Sequence, residues 1–137
     1  MNEILLVVHP DVLCEEYHTS PQWNPEHLEF LADEVWNWEG PVAAIFDRLL
    51  DHQAEYYPDV NALFVHIQVL IRASNKDLEL ELALVELIKN LHLEDKAVTV
   101  TGIWAGPGGA VDNVYNFLKT KIKNVKVSSY AIRKTSV

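Results

Sequence analysis

Five short segments rich in apolar and β-branched residues constrain this chain more than any other feature. They are Ile4–Val8, Val42–Phe46, Leu63–Ile71, Val98–Trp104 and Val125–Ile132. The first two are apolar at every position, so both faces of the strand need cover. That suits the interior of a parallel sheet with helices above and below. Between these segments, apolar residues recur at helical spacing: Leu28, Leu31, Ala32 and Val35, then Leu80, Leu84, Leu87 and Leu91, then Val111, Val114, Tyr115, Leu118 and Ile122. Strands alternating with helices predict an α/β protein, a three-layer sandwich around a mostly parallel, Rossmann-like sheet of about five strands. A chain of 137 residues without a repeat or low-complexity linker reads as one domain over 1–137.

Local signals set the expected boundaries. Asn24-Pro25-Glu26 opens a helix with a capping side chain, a proline in the first turn and an acid facing the dipole, and Gly40-Pro41 stops it. Ser74-Asn75-Lys76-Asp77 has the spacing of a capping box. After it, Leu78-Glu79-Leu80-Glu81-Leu82 alternates like a strand, but the longer Leu80–Leu91 period and the helix propensity of Glu and Leu favour a helix. The last helix is expected from Ala110 to Ile122, with Asp112 in its first turn and Lys119 and Lys121 near its end. No clear period marks 11–23, and 47–57 is a polar, aromatic stretch suited to a short helix or a lid.

Charge and cysteine content exclude several function classes. Twenty acidic residues against 11 basic give a net charge of −9, which argues against a broad phosphate-binding face and so against nucleic acid. No stretch reaches the roughly 20 apolar residues that span a bilayer. One cysteine, Cys14, allows no internal disulfide, so a cytoplasmic location is expected. Its neighbours Glu15 and Glu16 disfavour a thiolate, so Cys14 is read as a non-nucleophile.

In an open parallel sheet, ligands bind beyond the carboxyl ends of the strands, where the strand order reverses. Gly106-Pro107-Gly108-Gly109 joins a strand to a helix N-terminus, where free N–H groups can hold an anion. The same glycines also suit a tight turn needing positive φ, and they match neither dinucleotide-binding nor P-loop spacing. Asp11 follows the first strand as a candidate general base or a turn aspartate, and His9 beside it is a proton shuttle or a structural histidine. Arg72 ends the third strand as an anion clamp or a surface ion-pair partner. Asp47, Asp51 and His52 lack a convincing ligand spacing, so neither metal nor cofactor is expected. Trp36 and Trp38 flank a helix end and suit either an interface or packing against the sheet.

From Ser74 to Ile132 the chain resembles the isochorismatase-like cysteine hydrolase superfamily. A helix, a strand carrying Val100-Thr101-Gly102, a loop, a helix from Ala110 and a closing strand follow in that order. Leu5-Leu6-Val7-Val8-His9-Pro10-Asp11 is similar to the family's first strand, which ends in a catalytic aspartate. The resemblance implies an isochorismatase-like sandwich. It also implies lost acyl-enzyme chemistry, because the nucleophile position falls near Gly108 or Ala110 and neither offers a thiolate. Arg72 stands near the family's lysine and cannot exchange protons as a lysine can.

These readings converge on a non-catalytic protein that binds a small anionic ligand or a protein partner, with a homo-oligomer within its range. The expected pocket is lined by His9, Asp11, Arg72, Trp104, Gly106, Gly108 and Gly109, and the expected interface by Trp36 and Trp38. The rival reading is a hydrolase of small amides, esters or phosphates, using Asp11 and His9 with the glycine loop as an oxyanion or phosphate cradle.

Overall fold

The computed structural model of the chain describes residues 3–10, 25–46, 66–73, 77–106 and 108–133. The strands are β1 (Glu3–Val8), β2 (Val42–Phe46), β3 (Val69–Arg72), β4 (Ala97–Ala105), β5 (Asn124–Val127) and β6 (Ile132–Arg133). The helices are α1 (Pro25–Asn37), α2 (Asp77–Leu91) and α3 (Ala110–Lys119). Every strand pairing is parallel, in the order β3-β2-β1-β4-β5, and β6 joins β4 beyond the end of β5. The expected α/β sandwich is the fold observed.

Alternation along the strands assigns the two faces. Ile4, Leu6 and Val8, with Ala43, Ile45, Val98 and Val100, share one buried cluster with Leu84 and Leu87 of α2 and Val111, Val114 and Leu118 of α3. The intervening residues, among them Leu5, Val7, Ala44 and Thr101, are equally buried on the opposite face. On that side α1 buries Leu31 and Val35 completely. β1, apolar throughout Ile4–Val8, therefore lies between β2 and β4 at the centre of the sheet.

The expected third and fifth strands are both too long. The apolar run from Leu63 predicts a strand throughout, but His66 is helical and pairing starts only at Val69. Continuous apolar runs fit a buried helix end as well as a strand, so periodicity cannot place this boundary. The segment from Val125 to Ile132 is interrupted after Val127. There Ser128 N–H still donates to Val100 O (2.8 Å), but Tyr130 N–H turns back to Ser128 Oγ (3.0 Å) and Ala131 N–H to Ser128 O (3.2 Å). Local bonds to a serine replace the ladder for one turn. The last helix also stops three residues before the expected Ile122. Thr120 Oγ1 donates to Phe117 O (2.7 Å), and Lys121 and Ile122 N–H converge on Leu118 O. Ile122 remains buried nonetheless. The capping box at Ser74 and the stretches 11–23 and 47–57 lie outside the described residues, apart from Asp77 at the start of α2.

Candidate functional site

From β1 the chain moves outward to β2 and β3, then returns past β1 to β4 and β5. The reversal falls between β1 and β4, so the ligand position general to such sheets lies above Val8, His9 and the end of β4. The structure divides the expected pocket residues into two groups there.

His9 belongs to the first group. Its backbone is left-handed (φ 53°), its N–H donates to Ile45 O (2.7 Å), and its Nε2 donates to Ala73 O (2.7 Å). The imidazole therefore reaches across the end of β2 to the residue following β3. It is 2% exposed and ties three strand ends together. Arg72 is exposed beside Ala73 and pairs in register with Phe46. It stands three strand spacings from β4, about 14 Å across the sheet.

The second group is the glycine loop. Gly106 (φ 123°) and Gly108 (φ 79°) both need a conformation that side chains disfavour, and a Cβ at either would meet nothing within 4 Å among the described residues. Gly109 N–H closes the turn onto Gly106 O (2.9 Å). Gly106 N–H donates to Asp112 Oδ1 (2.7 Å), and Gly109, at the N-cap of α3, brings no capping side chain. The chain's own carboxylate, in the first turn of α3, thus takes up one of the loop's N–H groups. Replacing Asp112 with Ala should cost about 1 kcal/mol, roughly 4 °C in thermal melting, and phosphate should stabilise the variant more than the parent. Trp104 is a β4 residue whose side chain is outside the described part, as is all of Asp11. Cys14, Asp47, Asp51 and His52 are also outside it, and among the described residues no three metal-ligating side chains gather. No described helix is long and apolar enough to cross a membrane.

The flank of α1 carries a groove. It measures about 360 Å³ and is lined by Phe30, Asp33, Glu34, Asn37 and Trp38 of the α1 segment and by Tyr130 from the turn between β5 and β6. Phe30 (56%) and Tyr130 (63%) are exposed although both are large and apolar. Trp38 is half-buried with no partner for its indole N–H among the described residues, while exposed Trp36 packs edge-on against His66 with ring centres 4.4 Å apart. The two tryptophans therefore play different parts. Glu34 lines the groove too, and its carboxylate accepts from Thr101 Oγ1 of β4 and from Ser128 Oγ, locking α1 to the sheet and to the turn that carries Tyr130.

Sequence reasoning missed Phe30, Glu34 and Tyr130. The partners of Glu34 are 67 and 94 residues away, so no local pattern announces them. Gly102 entered that reading only within the Val100-Thr101-Gly102 resemblance, although a lone glycine inside a strand is itself a usable sign of a close backbone approach. Comparison with protein-family models, curated proteins and solved structures finds no match to this chain.

Proposed function

We propose that this protein is a non-catalytic binding protein whose ligand or partner group enters the groove beside α1. The observation that carries this reading is the combination of Phe30, Trp38 and Tyr130 as walls with Asp33 and Glu34 beside them. Aromatic faces attract cations and carboxylates complement them, so this groove suits an aromatic or alkyl amine better than the anion expected for the strand ends. Support also comes from the described strand ends: His9 Nε2 is engaged by Ala73, away from the glycine loop, and Gly106 N–H already holds Asp112. A hydrolase built on His9 and that loop needs both free and facing one atom.

Kinship with the isochorismatase-like hydrolases, a cytoplasmic location and homo-oligomer formation stay within this proposal. The order of α2, β4, glycine loop, α3 and β5 is the order that the resemblance implies. A thermal-shift series with tryptamine and phenethylamine, set against benzoate and phosphate, tests the binding reading. A bound amine at about 100 times its Kd adds about 2.7 kcal/mol, and this gain should vanish in Phe30→Ala and Tyr130→Ala. Stabilisation by phosphate alone, or by amines equally in both variants, would refute it.

A further inference from the structure

Helix α2 is apolar on two opposite sides. Leu80, Leu84, Leu87 and Ile88 are buried in the core, while Leu78 (71%), Leu82 (60%) and Val85 (48%) are exposed. This resolves the strand-like alternation of Leu78-Glu79-Leu80-Glu81-Leu82: on a helix the middle leucine faces in and the outer two face out. The exposed residues are spaced four and three apart, and exposed Lys89 follows four residues after Val85. That spacing is the alternating d and a seam of a coiled coil over two heptads, on a helix of 15 residues. In this register Glu79 and Glu86 occupy e positions and Glu81 a g position, all three exposed along the margins of the seam.

We infer that this face of α2 is a docking seam for an amphipathic helix of another protein, with apolar residues at its a and d positions and Lys or Arg at e and g. Charge decides the occupant. In a parallel pair, g of one helix meets e of the next heptad on the other, so a second copy would set Glu81 against Glu86. In an antiparallel pair e meets e, which again opposes glutamates. A second copy is therefore repelled in either direction, whereas a basic helix is matched at the same positions. Lys89, at the end of the seam, sets the register by asking for an acidic or polar residue opposite. The seam belongs to α2 and the proposed groove to α1, so the two readings stand or fall separately.

The test uses the whole protein and two fluorescent peptides of about three heptads with Leu at a and d, one with Lys and one with Glu at every e and g. The lysine peptide should bind at least about tenfold more tightly in fluorescence anisotropy at low salt, and the gap should narrow as salt rises. Leu82→Gln and the double variant Leu78→Gln/Leu82→Gln should abolish binding while leaving the melting temperature unchanged, because both side chains are exposed. Glu81→Lys/Glu86→Lys should invert the preference between the peptides. Equal binding of both peptides, no binding of either, or lysine-peptide binding that survives Leu78→Gln/Leu82→Gln would overturn the inference. So would a dimer in sedimentation equilibrium that dissociates on Leu82→Gln, since that would make a second copy the occupant.

Discussion

Gly102→Ala should be among the most damaging single substitutions in this protein, lowering stability by about 4 kcal/mol in urea unfolding. Two independent effects add there. Gly102 has φ 125°, a region that an L side chain rarely enters. A Cβ would also fall 2.2 Å from Val8 O and 2.6 Å from Val8 N, atoms of the adjoining backbone that cannot swing aside. Relief would require separating β1 from β4 at the Val8–Gly102 pair, in the middle of the sheet. Gly106→Ala is the matched control. Its φ of 123° is nearly the same, but no described residue lies within 4 Å of where its Cβ would fall, so strain alone should cost about 1 kcal/mol. If both variants lose the same stability, contact with Val8 is not what keeps glycine at 102.

Glu34→Ala is expected to cost about 3 kcal/mol by the same measurement, although Glu34 is a polar residue on a surface helix. The substitution removes the shared acceptor of Thr101 and Ser128 and leaves the fully buried Thr101 hydroxyl without that partner. An orphaned buried hydroxyl carries its own desolvation cost beyond the lost bond. Glu34→Gln should cost only about 1 kcal/mol, because the amide oxygen still accepts from one hydroxyl and the other can reorient to accept from the NH2 group. A loss for Glu34→Ala no larger than for Glu34→Gln would mean that the two hydroxyls find other partners.

The residues that made the fold legible are those whose surroundings are set by chain direction and burial alone. Val42–Phe46 forms a strand over the five positions expected, and α3 starts at Ala110 as its period and Asp112 indicate. Both follow from one-dimensional rules: a wholly apolar run needs cover on two faces, and a helix N-terminus favours an acid. Legibility failed where a tertiary partner overrode the local pattern. Val125–Ile132 keeps strand-like composition throughout, yet Ser128 turns its hydroxyl to a carboxylate on α1 and the ladder breaks there. The candidate site suffered more, since its parts come from chain segments that know nothing of each other. His9 stands at the end of the first strand, as its place in the sequence indicates, but only the fold brings Ala73 O to its ring. The exposed side of α2 was legible as leucines and illegible as surface, because sequence does not say which of two apolar stripes faces the core.

The position of β1 has a consequence for how the protein is made. Its partners on one side include Val98 and Val100, paired with Ile4 and Leu6. Translation therefore delivers the central strand long before the strand that completes its second edge. Until β4 emerges, one edge of β1 has no partner strand, an apolar flank available to a chaperone or to another nascent chain. Closure of so distant a pairing also carries a large loop entropy, so refolding should be slow for a domain of this size, with the β1–β4 ladder among the last contacts to form.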